Sequence, residues 1–173
     1  PYRQQGYFHA DKPRALGLQF AAKRGQRLSF TLTGKSNSLP LYADIFRAGE
    51  TGAPLHSADT STYVFHFDVD EAGEYVLRLQ PELFRKGEYT LSVSVGPSLD
   101  FPVSGKKASV GSIWGDQRDG GKRSHEGIDF FAPNLTPTVA AADGYITGVR
   151  EGGIGGKVVW LRPEGKPYTL YYA

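Results

Sequence analysis

The chain has 173 residues, enough for one large domain or two small ones. Its 20 basic and 18 acidic side chains leave a net charge of only +2, which excludes a strong electrostatic footprint for nucleic acid. The absence of cysteine excludes disulfides and thiolate metal sites, and no apolar run is long enough to span a bilayer as a helix.

Methionine is absent even at position 1, so the sequence reads as one that begins after processing or trimming. Glycine (22 residues) and proline (11), with 10 Tyr and 10 Phe, favour short strands joined by turns. The segment RALGLQFAA (residues 14–22) alternates apolar and polar, and AKRGQ then supplies a turn. In QRLSFTLTG (26–34), Leu28, Phe30 and Leu32 share one face. PLYADIFRA (40–48) follows and ends at GETGAP. TYVFHFDVD (62–70) and EYVLRLQP (74–81) flank an EAG turn, and GEYTLSVSVG (87–96) closes the series. Period-2 alternation with turns every eight to twelve residues predicts a β-sandwich.

The ordered segments RGQRLSFTLTG, LYADIFRAG, VFHFDVDEAGEYVLRLQ and KGEYTLSVSV resemble the bacterial prepeptidase C-terminal domain, over most of residues 14–95. That resemblance implies a small jelly-roll-like sandwich of the kind found beside secreted hydrolases. Three histidines lie in this part: His9, His56 and His66. His66 and Asp68 share a strand face, but no third ligand accompanies them, and the pair reads as structural.

PSLDFPVSGKK, with two prolines, a glycine and paired lysines, breaks the alternation, and residues 99–107 read as a linker. Lys106, Lys107, Lys122 and Arg123 have no stripe of aromatics beside them and read as solvated loop charges. Beyond the linker the texture is glycine-rich: GDQRDGGKRSHEG, AADG and EGGIGG. Short strands are predicted in GIDFFAP, TVAAADGYITGVRE, KVVWLRP and PYTLYYA.

The chemistry concentrates in SHEGIDF, where His125 and Asp129 stand four residues apart. A helix would put them on one face, as in the zinc motif H-E-x-x-H. The flanks forbid a helix. Gly127 costs roughly 1 kcal/mol in a helix interior, two glycines precede KRS, and a proline follows FFA. On a strand the two also share a face, but four extended residues span about 13 Å, too far for short metal bonds. A bend at Gly127, running into a strand that carries Asp129, resolves the distance.

The run VGSIWGDQRDGGKRSHEGIDFFAPNLTPTVAAADGYITGVREGGIGGKVVWL, followed by PYTLYYA, resembles the lysostaphin/LytM-type zinc metallopeptidases over most of residues 108–173. These are bacterial endopeptidases that cut peptide bonds in peptidoglycan crosslinks. The resemblance implies zinc as cofactor, with His125 and Asp129 as two of its three protein ligands. The third ligand comes from a later H-x-H, and assisting histidines come from that motif and from a Y-x-H strand. None of these is in the chain; the family would place its next histidine directly after Ala173. No catalytic residue is therefore expected within the chain, which alone should neither hold zinc tightly nor hydrolyse peptidoglycan. The apolar strand PYTLYYA, ending without turn or polar tail, reads as an edge awaiting further strands.

The expectation is an all-β protein of the bacterial periplasm or exterior. Residues 1–98 form a jelly-roll-like β-sandwich accessory domain, and 108–173 the first part of an incomplete antiparallel metallopeptidase domain. The expected function is zinc-dependent endopeptidase action on the peptide crosslinks of peptidoglycan. The alternatives are a catalytically degenerate LytM-like regulator of wall hydrolases, or a module that binds glycan or protein. Glu126 reads as a solvated lip charge, and Asp116 and Asp119 as turn residues. GGIGG (152–156) reads as a hairpin tip, which the resemblance places near a substrate groove; Trp114 and Tyr145 read as core or rim aromatics.

Overall fold

The computed structural model describes the chain except residues 34–38, 106 and 154. Gly34, Lys106 and Ile154, named above within a strand end, a basic cluster and a hairpin tip, therefore lie outside the described residues. The protein is all-β: the described regular elements are strands, with one three-residue 3-10 turn at Asp119–Gly121. No helix of the described residues is long and apolar enough to cross a membrane. The chain divides into two compact units, Pro1–Ser98 and Leu99–Ala173.

The first unit contains β1 (Tyr2–Phe8), β2 (Leu16–Ala22), β3 (Gln26–Thr33), β4 (Leu41–Arg47), β5 (His56–Ser57), β6 (Val64–Asp68), β7 (Gly73–Pro81) and β8 (Gly87–Pro97). They form two four-stranded sheets, in the orders β1-β8-β3-β6 and β2-β7-β4-β5. All pairings are antiparallel: the first strand pairs with the last, the second with the seventh, and so on inward. This is the strand order of a jelly roll.

Alternation puts Leu28, Phe30 and Leu32 of β3 and Tyr75, Leu77 and Leu79 of β7 into one buried cluster between the sheets. Rings bridge the two layers. Phe20 of β2 lies 6.3 Å from Phe30 of β3, and Phe67 of β6 lies 5.5 Å from Tyr75 of β7. Each such side chain contributes roughly 1.5–3 kcal/mol on burial. Between β2 and β3, Gln26 N–H donates to Lys23 O at 3.2 Å, with Gly25 at φ 82° in the position that a turn of this kind reserves for glycine.

Edge strand β1 is less apolar, and one glycine fits it to its neighbour. Gly6 pairs directly with Tyr89 of β8, whose buried ring lies across it. A Cβ on Gly6 would come within 2.6 Å of ring carbons of Tyr89. Gln4 Nε2 donates to the Tyr89 hydroxyl at 3.3 Å, so the ring is held at both ends of its length.

The second unit is built of shorter pieces. Strands β9 (Ser109–Ser112) and β12 (Asp129–Phe131) form one ribbon, and β10 (Gln117–Arg118) and β11 (Arg123–Ser124) another. A three-stranded sheet holds β13 (Gly144–Glu151), β14 (Lys157–Pro163) and β15 (Leu170–Tyr172) in that order. The strand predicted over 138–151 begins only at Gly144. The segment before it pairs instead with the stretch read as a linker: Asp100 N–H donates to Ala141 O at 2.7 Å, Val139 N–H to Pro102 O at 2.8 Å, and Ser104 N–H to Pro137 O at 3.1 Å. Among the described residues of this unit, the buried hydrophobic side chains are Ala141, Val158 and Leu161.

Gly6→Ala should destabilise the first unit by about 1–3 kcal/mol, because the added methyl displaces a packed ring although alanine is no worse than glycine in a strand. A fall in the urea midpoint monitored on the Tyr89 resonances checks this; an unchanged midpoint would show that the ring moves freely.

Candidate metal centre

SHEGIDF contains no helical turn. Ser124 ends β11, Asp129 opens β12, and a bend lies at Gly127 between them. Gly127 does not have a left-handed φ, so the backbone does not demand glycine there. What its missing side chain does is spatial: a Cβ would stand 3.5 Å from His125 Nε2 and partly cover that atom.

His125 is anchored through its main chain and its ring. Its N–H donates to Asp116 O at 2.8 Å, and its carbonyl accepts from Gly115 N–H at 2.8 Å. The 113–116 turn is closed by Asp116, whose Oδ2 accepts the Ile113 N–H at 2.9 Å. Ile113 in turn presents its carbonyl to His125 Nδ1 at 3.1 Å. Ser112 Oγ lies 3.4 Å from the same nitrogen. A carbonyl can only accept, so a ring that donates to Ile113 O does so through Nδ1–H and, when neutral, keeps its lone pair on Nε2.

Asp129 stands opposite Ser112 in the β9–β12 ribbon, next to an irregularity in register between Asp129 and Phe130. Such bulges re-aim a side chain. Asp129 Oδ2 accepts from Ser112 Oγ at 2.6 Å and from Arg118 Nη2 at 2.6 Å. The same Arg118 nitrogen donates to Ser112 Oγ at 2.7 Å. The Ser112 hydrogen bond first, and that of Arg118 after it, hold the Asp129 carboxyl below the usual aspartate range.

The other oxygen, Oδ1, faces His125 Nε2 at 3.2 Å. In the neutral Nδ1–H tautomer this contact sets a lone pair against a carboxylate oxygen. A hydrogen on Nε2 or a metal cation between the two atoms makes the contact favourable. Two ligand atoms about 2.1 Å from one zinc at a tetrahedral angle lie about 3.4 Å apart. The spacing and the N/O donor set therefore fit two corners of a zinc site, and the Ile113 carbonyl behind Nδ1 is the support that a metal-bound imidazole uses. Among the described residues, no group of three or more His, Cys, Asp and Glu converges on such a point.

The other histidines lie in the first unit. His66 Nδ1 is 3.0 Å from Ser29 Oγ, and Asp68 is bound to Arg27 at 2.7 Å, so each turns to a cross-strand partner. His56 stacks on Phe65 at 5.8 Å, and His9 meets Tyr7 edge-on at 4.8 Å. Glu126 is exposed. Asp119 pairs with Arg123 at 2.5 Å and closes the turn between β10 and β11. Gly152 N–H donates to Gly156 O at 2.9 Å at the β13–β14 connection. Trp114 and Tyr145 are surface residues, 69% and 68% exposed. Ser112 and Arg118 were not legible as site residues in the sequence.

No family model matches the sequence, and no curated protein matches it. Among solved structures, the chain is similar to PliG of Aeromonas hydrophila, a periplasmic inhibitor of g-type lysozyme. Identity is 16% and the TM-score 0.46, over 55% of this chain and 85% of that one. It is also similar to the pre-peptidase C-terminal domain of a Bacillus anthracis collagenase, at 12% identity and TM-score 0.46, over 54% of this chain and 88% of that one. Salmonella Typhimurium PliG gives 13% identity and TM-score 0.39, over 54% and 89% of the two chains. At these values the likeness assigns no function.

The depressed Asp129 value has a signed consequence. The folded state binds this proton less readily than the unfolded chain, so the stabilisation from these hydrogen bonds is present above the unfolded value and is lost as pH falls through the folded one. In the metal-free chain, carboxylate NMR should place the Asp129 midpoint below about 3.9, and Ser112→Ala should raise it. A midpoint that stays put in Ser112→Ala would contradict the hydroxyl's role.

Proposed function

We propose that the second unit carries two protein ligands, His125 and Asp129, of the zinc centre of a bacterial cell-wall endopeptidase cutting peptide crosslinks of peptidoglycan. The first unit is its accessory β-sandwich, and the setting is periplasmic or extracellular. One observation supports this above others: His125 Nε2 and Asp129 Oδ1 face each other at 3.2 Å with the ring's other nitrogen on a carbonyl. A nitrogen and an oxygen so spaced can share one cation between them. The resemblance of HEGID and its following strands to the lysostaphin/LytM type supplies the identity of the metal and the substrate class. Zinc, when bound, polarises a scissile carbonyl and acidifies its water. The chain's own part is to present one nitrogen and one oxygen at fixed spacing.

Zinc chloride added to the 173-residue chain should shift the His125 ring resonances at high micromolar or weaker affinity, and Asp129→Ala should suppress the shift. Tight stoichiometric zinc that survives His125→Ala would overturn the assignment. The coding sequence after Ala173 decides between catalytic readings. A histidine next, with H-x-H downstream, supports the peptidase, and in that polypeptide His125→Ala should abolish hydrolysis.

A second reading, a metal-free regulator or binding module, is favoured by one feature: the Arg118 guanidinium already neutralises Asp129. If it holds, residues 1–98, which form a compact unit, should be retained on purified peptidoglycan while the full chain ignores zinc. Failure of that retention would count against the binding module.

A further inference from the structure

We infer that Ser112 and Arg118 are positioning residues that confine Asp129 to binding a divalent cation through Oδ1 alone. This rests on the zinc reading above and names the residues that set the site's geometry.

The second unit brings the two candidate ligands together from separate ribbons. Asp129 and Ser112 belong to β12 and β9, which pair with each other. Arg118 lies on β10, and His125 directly follows β11, which pairs with β10. Main-chain bonds tie His125 to Gly115 and Asp116, and Asp129 to β9. Arg118 Nη2 supplies a tie: it reaches from β10 to both Ser112 Oγ at 2.7 Å and Asp129 Oδ2 at 2.6 Å. The Ser112 hydroxyl adds its own bond to Oδ2 at 2.6 Å.

The outcome is an asymmetric carboxylate. Oδ2 receives two donors from two different elements, whereas Oδ1 is turned to His125 Nε2. A free carboxylate can chelate a cation through both oxygens; this one offers a single oxygen along a fixed direction. Single-oxygen ligation at short distance is what a four-coordinate zinc site uses, and a carboxylate hydrogen-bonded on its far oxygen is the usual support for it.

A competing role for Arg118 makes the opposite prediction. If the guanidinium is there to mask Asp129, removing its charge should make the site more attractive to a cation. The sign of the change therefore decides.

The test is zinc chloride titration of the 173-residue chain, followed at the His125 ring, in Arg118→Ala, Arg118→Lys, Ser112→Ala and Ser112→Thr, with His125→Ala as the control. Loss of either positioning group should weaken zinc binding about tenfold or more. Ser112→Thr, which keeps the hydroxyl, should restore affinity close to the original, and Arg118→Lys should fall between Arg and Ala. Unchanged or tighter binding in Arg118→Ala and Ser112→Ala, with His125→Ala still abolishing it, would overturn the inference and leave the zinc reading standing. Zinc binding indifferent to His125→Ala would overturn both. Amide spectra of β13–β15 report whether each variant keeps the fold, and the threonine and lysine variants decide the matter if an alanine variant does not.

Discussion

Main-chain hydrogen bonding between strands far apart in sequence carries the first unit. With no helix among its described residues and no cysteine for a disulfide, the unit's buried N–H and C=O groups find their partners across the sheets and in the turns. The jelly-roll order makes the most distant strands meet: β1 beside β8, β2 beside β7. Closing such long loops costs entropy before any contact offsets it, so folding is expected to be slow and cooperative. The return comes from the faces. Once the sheets pair, the alternating side chains of β3, β7 and β8 close into one cluster.

The second unit solves the same problem with fewer hydrophobic means. Its buried apolar side chains are few, while Phe131, Leu135, Tyr145 and Val149 stand largely exposed. Its order around the histidine comes instead from polar closures: Asp116 on Ile113, Asp119 on Arg123, and Ser112 and Arg118 on Asp129. Such bonds are directional and individually modest, so they define geometry better than they confer stability. A candidate metal pair placed in such a setting owes its spacing to hydrogen bonds rather than to packing.

The sequence carried the strands that bury a full alternating face: β2, β3, β4 and β6 lie within the stretches expected for them, and β7 and β8 each extend one residue beyond theirs, at Gly73 and Pro97. It concealed β1, whose inward positions are Gln4, Gly6 and Phe8, because a glycine beneath a tyrosine ring leaves no apolar trace. Two-residue pairings such as β10–β11 are shorter than any period. At the candidate site, His125 and Asp129 stood out because few residue types bind metal and because Gly127 ruled out a helix. Ser112 and Arg118 did not, since a serine and an arginine in a glycine-rich polar stretch carry no periodicity. Only the register that sets Ser112 opposite Asp129, and the short β10–β11 ribbon, bring them into view.

The contact between Gly6 and Tyr89 reaches beyond packing. β1 lies at the edge of its sheet, where a foreign strand or a second copy's strand is free to compete for β8. Pairing there favours a glycine under the ring. A slip of one residue would bring Gln5 or Tyr7 to that place, and an arbitrary strand would bring a side chain. Any such side chain would have to push the ring aside, a cost that β1 in its own alignment does not meet.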